Sequence, residues 1–218
     1  MNISTPKERS PKQHSPKRRP SSFFAIISRM RYIERWSLMR NSRPENLSEH
    51  ALDVALIAHC LATLGNVRYG KHLNADRAAL IGLYHDASEI ITGDMPTPVK
   101  YANPEIRDAY HQVEDTAQET LLDTLPDDLR PVYQDILNPR KASEDANEAY
   151  TLKLVKAADK LSALIKCIDE AQAGNSEFVT AEASTRSIVI DMAQDLPEVR
   201  DFMNEFLPSY GETLDQLL

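Results

Sequence analysis

At 218 residues, 42% of them hydrophobic and 27% charged, the chain is long enough for one well-buried core. Gly is scarce, six in all, and Ala/Leu/Ile-rich periodic stretches recur, which favours an all-helical protein over a sheet-based one. The formal net charge of −8 is a poor fit to general nucleic-acid binding, although a metal could reverse the local field for a small anionic substrate.

No apolar stretch approaches the length of a membrane span, and no membrane partner is expected. Cys60 and Cys167 lie in apolar helical patterns without metal-type neighbours and read as reduced thiols of a cytosolic (cytoplasmic) protein. Residues 1–20 hold four prolines and six basic residues against the single acidic Glu8, a net +5 that leaves −13 on the rest. Nothing there can build a core, so a disordered basic tail is expected, with the folded domain over 21–218. The apolar run at Phe23–Ile27 is too short, and too soon followed by Arg29 and Arg31, for a signal peptide; a transit peptide is compositionally possible.

Residues 21–33 predict a first amphipathic helix, with Phe23, Ile26, Ile27, Met30 and Ile33 at helical spacing. A polar loop follows to Asn46. It carries Trp36, the sole tryptophan, either a core anchor or a wall against a substrate ring or sugar. A second helix runs from about Leu47 to Leu64. On it His50 shares a face with Val54, Ile57 and Leu61, whereas His59 is half a turn away. Gly65 to Asn74 reads as a loop with His72 at the surface. Asn74 caps a third helix over 75–91, which Gly93 ends. Pro96 and Pro98 then stiffen the loop holding Asp94, Met95 and Thr97; Asp94 is either a turn residue or a substrate contact. A polar amphipathic helix over 104–125 places His111 at the surface. A short helix precedes a long one over 144–173, ended by Gly174-Asn175. Two or three further helices close the bundle.

Three of these helices place ionisable residues on apolar faces. The third carries Leu83-Tyr84-His85-Asp86-Ala87-Ser88-Glu89 inside an apolar run, and burying an imidazole beside a carboxylate is costly unless something pairs with them. Asp159 shares its face with Leu152, Val155, Ser162 and Ala163 and needs a cation, with Lys156 and Lys160 as ordinary candidates. His50 is a satisfied core histidine when taken alone. Together, His50, His85, Asp86 and Asp159 form a two-nitrogen, two-oxygen set suited to one divalent transition metal: Mn, Co, Fe, Ni, Zn or Cu. Glu89 shares the face of His85 and Asp86, where a carboxylate suits general acid/base work.

The order H…HD…D resembles the signature of HD-domain metal-dependent phosphohydrolases, and the match is closer still to their bacterial 5′-deoxynucleotidase branch. The shared strings are Glu34-Arg35-Trp36 with Leu38-Met39-Arg40, Glu45-Asn46-Leu47-Ser48-Glu49-His50, Tyr84-His85-Asp86-Ala87-Ser88-Glu89 and Thr92-Gly93-Asp94-Met95-Pro96-Thr97-Pro98-Val99-Lys100. Later come Lys156-Ala157-Ala158-Asp159, Lys166-Cys167 and Gly174-Asn175-Ser176-Glu177-Phe178. Met95 stands where Leu is expected. The resemblance covers about residues 22–210 and implies an all-α HD-domain helical bundle, a homodimer, that removes the 5′-phosphate from deoxyribonucleoside monophosphates. It further implies metal ligation by His50, His85, Asp86 and Asp159. Arg35 would hold the phosphate, Trp36 would exclude a 2′-hydroxyl, and Asp94, Met95, Pro96 and Thr97 would hold sugar and phosphate. His50, Asp86 and Asp159 would also contact the substrate. Glu89 would be the general acid or base, with Arg35 and Asp94 beside it in catalysis. Alternatives are a triphosphohydrolase or cyclic-nucleotide phosphodiesterase of the same class, and a non-catalytic nucleotide sensor.

Overall fold

The computed structural model describes residues 20–100, 103–139 and 145–218, the side chains of residues 97 and 98 excepted. The expected tail lies outside the described residues apart from Pro20. In chain order the helices are α1 (Phe23–Ile27), α2 (Leu47–Tyr69), α3 (Ala75–Tyr84), α4 (Glu89–Thr92), α5 (Thr97–Lys100), α6 (Pro104–Leu122), α7 (Arg130–Leu137), α8 (Ala146–Gln172), α9 (Val179–Asp195), α10 (Pro197–Glu205) and α11 (Leu214–Leu217). Short 3₁₀ turns occupy Ser28–Tyr32, Ser176–Phe178 and Leu207–Gly211. The expected all-helical class holds.

Helices α2, α3 and α8 form the centre, with α9 and α10 packed on one side. Their main core joins Val54, Ala58 and Leu61 of α2 to Leu154, Leu161 and Leu164 of α8 and to Val199 and Phe202 of α10. Leu61, Leu154, Leu161 and Leu164 are wholly buried, each stabilising the fold by roughly 2 kcal/mol. A second cluster packs Phe23 of α1 against Leu121 and Leu122 of α6 and Leu137 of α7. A third joins Met30 to Leu47 and Ala51 at the start of α2.

Four boundaries differ from the sequence expectation. The first helix tightens after Ile27 into a 3₁₀ turn that buries Met30. The segment expected as loop contains a two-residue strand pair, β1 (Glu34–Arg35) with β2 (Glu45–Asn46), antiparallel and in register Arg35↔Glu45. Helix α2 runs five residues beyond Leu64, through Gly65, and stops where Gly70 turns left-handed at φ 62°. Gly65 belongs inside the helix because a Cβ there would lie 2.9 Å from Glu198 Oε1 and 3.1 Å from Leu73. The helix expected over 75–91 breaks at residues 85–88 into α3 and α4. Its backbone ladder tightens to i→i−3 bonds, with Ala87 N–H donating to Tyr84 O and Glu89 N–H to Asp86 O.

Against the expectation that no stretch is long enough, α2 is long and apolar enough to cross a bilayer by length and composition. Its most apolar window is 56% buried among other helices, the position of a core helix. Both cysteines are free thiols.

Candidate metal centre and active site

Three central helices each bring one part of the cluster inward. Helix α2 starts with Asn46, whose side chain accepts from the N–H groups of Ser48 and Glu49, while Glu49 reaches back in a capping box. This fixes His50 in the first turn, fully buried. Helix α3 approaches α2 closely at Gly82, where an added Cβ would lie 2.9 Å from Ala55 Cα. That contact brings His85 and His50 to a ring separation of 5.2 Å. Helix α8 contributes Asp159 and, one turn on, Ser162.

His50 Nε2 lies 3.2 Å from Asp159 Oδ1 and 3.5 Å from Asp86 Oδ2. His85 Nε2 lies 3.0 Å from Asp86 Oδ2. One ligand atom each from His50, His85 and Asp159 falls within 4.8 Å of the others. The outer ring nitrogens are anchored: His85 Nδ1 is 2.8 Å from Gly82 O, and His50 Nδ1 is 3.0 Å from Ser162 Oγ. A carbonyl can only accept, so His85 Nδ1 carries a hydrogen and Nε2 is the atom that faces Asp86. Among the described residues neither Nε2 atom, both buried, has a hydrogen-bond partner of good geometry. An imidazole nitrogen facing a carboxylate oxygen needs a proton or a cation between them.

The electrostatics carry the same signature. Burial opposes charge on His85, yet Asp86 and then Asp159 push its pKa up to about 9. Burial also opposes ionisation of Asp86, but His85 and His50 hold it well below the usual carboxylate range. Asp159 is held low against the same burial by His50 and Lys160. Lys160, the ordinary partner considered from sequence, does reach Asp159 Oδ2 at 3.0 Å. It engages one oxygen and leaves the other facing His50. The donor set of two imidazoles fixed through Nδ1 and two ionised carboxylates fits a divalent transition metal.

Glu89 stands at the first position of α4, 7% exposed, and among the described residues its Oε2 has no hydrogen-bond partner. Burial, reinforced by Asp86 and Asp94, pushes its carboxyl up to about 9 against the pull of Lys100 and Arg35. With no cation in the site it therefore favours its protonated form. Burial likewise raises Asp94, with Arg35 pulling the other way. Arg35 is raised despite its burial by Glu45, Asp159, Asp86 and Asp94. Met95 and Pro96 are half-buried on the same loop, whereas the side chain of Thr97 lies outside the described residues.

Trp36 has φ 58°, a left-handed conformation that is strained for a bulky residue. Its ring packs 5.4 Å from that of Phe178. Its indole N–H donates to Glu45 Oε2 at 2.9 Å, the same oxygen that takes Arg35 Nη1 at 2.7 Å. Farther along, Glu170, 2% exposed, ties the 36–44 segment to α8. It accepts from Ser42 N–H at 2.8 Å, from Asn175 Nδ2 at 2.6 Å and from Lys166. Lys166 also donates to Arg43 O at 2.6 Å. Burial opposes ionisation of Glu170, but Lys166, Asn175 and Ser42 hold it down at about 2.

The structure brings His50, His85, Asp86 and Asp159 into direct contact, with Glu89, Asp94 and Arg35 close enough to feel their charges and Trp36 joined to Arg35 through Glu45. His59 and His72 are exposed, as expected. His111 is exposed too, yet it lines a cavity of about 430 Å³ that also touches His85. Sequence reasoning missed Glu45, Ser162 and Glu170. The i,i+4 spacing of Lys166 and Glu170 on an apolar face was a readable signal for the last. Nothing in sequence marks the other two.

A helical bundle with an H…HD…D cluster at its centre defines the HD class of metal-dependent phosphohydrolases. Within it, the chain belongs to the 5′-deoxynucleotidase YfbR-like family, whose pattern matches residues 22–210. A 5′-deoxynucleotidase of Yersinia pseudotuberculosis is 45% identical over 197 residues, which span 90% of this chain and 96% of that one. One from Klebsiella pneumoniae is 43% identical over the same spans. Among solved structures, an HD-domain phosphohydrolase from Listeria innocua aligns with TM-score 0.74 at 25% identity, covering 87% of this chain and 88% of its own. A cyanophage S-2L HD phosphohydrolase, solved with dA and one catalytic zinc ion, shares the fold at TM-score 0.56 and 20% identity, over 87% of this chain and 96% of that one.

Proposed function

We propose that this protein is a metal-dependent 5′-deoxynucleotidase that hydrolyses deoxyribonucleoside 5′-monophosphates to deoxyribonucleoside and phosphate. The observation that carries the reading is the convergence of unpartnered His50 and His85 Nε2 atoms, ionised Asp86 and Asp159, a buried Glu89 and buried Arg35 on one site. Relatives at 45% identity carry that activity in their names. His50, His85, Asp86 and Asp159 would hold a single divalent transition metal. Bound there, a metal of this kind acidifies water near neutral pH and offsets phosphate charge; Co and Mn suit the donor set.

Arg35 offers a planar charged fork to the phosphate oxygens and stabilises the charge on them as the in-line displacement proceeds. The P–O5′ bond breaks as the water oxygen bonds to phosphorus. Glu89 would give a proton to the departing 5′-oxygen and take one from the attacking water. Asp94 and the Met95–Thr97 stretch border the sugar. Trp36 forms the wall against its 2′ carbon. A cytoplasmic homodimer is the assembly expected of this reading.

Glu89→Ala is expected to reduce turnover by about 10²–10⁴-fold while deoxynucleotide binding persists. Phosphate release under single-turnover conditions, beside equilibrium binding, is the test. Near-normal turnover in this variant would remove Glu89 from the mechanism.

A further inference from the structure

We propose that Glu45 is a positioning residue whose one carboxylate ties phosphate recognition at Arg35 to sugar discrimination at Trp36. The inference rests on the deoxynucleotidase reading of those two residues. Glu45 Oε2 accepts from Arg35 Nη1 at 2.7 Å and from Trp36 Nε1 at 2.9 Å. The Arg35 and Glu45 side chains are each only 11% exposed. A charge-assisted bond in that setting is strong and directional.

The backbone enforces the same triangle. Arg35 and Glu45 are register partners in the β1–β2 pair, so the carboxylate is delivered from the strand opposite the arginine. Trp36 follows at once in its left-handed conformation. The Trp36 carbonyl is held by Met39 N–H at 2.9 Å and Asn41 Nδ2 at 3.2 Å. The Arg35 guanidinium carbon lies 5.8 Å from the Trp36 ring centre. An indole can rotate about its side-chain bonds even when its backbone is fixed. Among the described contacts, the hydrogen bond to Glu45 is the polar one that sets its ring orientation, and Phe178 backs one side. Glu45 therefore touches neither phosphate nor sugar in this account, yet fixes the groups that read both.

The test compares the metal-loaded full-length protein with its Glu45→Ala and Glu45→Gln variants on dAMP and AMP. Trp36 is the only tryptophan, so its fluorescence anisotropy reports ring mobility directly. Glu45→Ala is expected to lower the dAMP/AMP ratio of kcat/KM by about tenfold or more, raise the KM for dAMP and free the ring. Glu45→Gln keeps an acceptor for the indole but no charge for Arg35. It should hold the ratio within a few-fold of wild type while KM for dAMP rises. Adding Glu45→Ala to Trp36→Ala should lower the ratio no further, since both act through one ring.

A Glu45→Ala ratio within about twofold of wild type, or an unchanged Trp36 anisotropy, overturns the proposal. Should Glu45→Ala not fold, Glu45→Gln decides, and wild-type KM in that variant overturns it. If the wild-type protein releases phosphate from neither nucleotide, the parent reading fails. The anisotropy comparison then still decides whether Glu45 holds the ring.

Discussion

In the proposed mechanism Glu89 carries the proton chemistry and Trp36 the choice of sugar. With no cation in the site, Glu89 favours its protonated form because burial and two neighbouring carboxylates disfavour its charge. That has a consequence for stability in chelator-treated protein. A carboxyl raised to about 9 in the fold binds a proton that the unfolded chain has lost above the usual carboxylate range. Its contribution is fully present at low pH and is lost as pH rises toward about 9. Glu89→Gln should therefore flatten the decline of Tm over that window and exceed the wild-type Tm at its alkaline end. His85, shifted in the same direction, leaves its own slope in both proteins. Thermal unfolding across that pH range checks this, and parallel Tm curves would contradict it. At Trp36, removal of the ring by Trp36→Ala should admit ribonucleotides. Relative kcat/KM for the two sugars is the measure, and an unchanged preference would refute the gate.

At the scale of elements, the site depends on how closely α3 can approach α2 and on where α3 stops. Gly82→Ala would place a Cβ 2.9 Å from Ala55 Cα and 3.2 Å from Val54 C, all backbone that cannot swing aside. Overpacking of this kind costs about 1–3 kcal/mol, and the Gly82 carbonyl is also what orients His85. The variant should lose both stability and metal affinity, measured by denaturant unfolding and metal titration. The inward faces of α2 and α8 were legible because apolar spacing alone placed His50 and Asp159. The break at residues 85–88 was not, since the apolar run continues through it and only the tightened ladder marks it. The β1–β2 pair was also illegible: two residues per strand carry no alternation to read. Glu45 went unassigned for that reason, because its partner across the pair is set by register rather than spacing. Ser162 was read only as a small residue on the face of Asp159, and its bond to His50 needs the packing of α8 on α2.

For the whole molecule, the candidate ligands sit on α2, on α8 and in the turn that ends α3, and these three helices also build the main core, so metal binding and folding are linked. Metal at about 100 times its dissociation constant should stabilise the fold by about 2.7 kcal/mol, a Tm rise of several degrees at this chain length. Asp159→Asn should abolish most of that rise, as differential scanning fluorimetry with and without chelator can show. Charge is organised at the same scale. The net −8 of the chain argues against a polyanionic partner, while the site itself concentrates Arg35 and a metal-ready cluster where a single phosphate can sit. The most direct measurement is phosphate release from dAMP, dGMP, dCMP, dTMP and dUMP beside the matching ribonucleotides, with chelator and then with Co²⁺, Mn²⁺, Mg²⁺ or Zn²⁺. The account predicts release that requires a transition metal and is confined to the deoxy set. Release that persists in chelator, or no release from any deoxynucleotide with any of these metals, would contradict it.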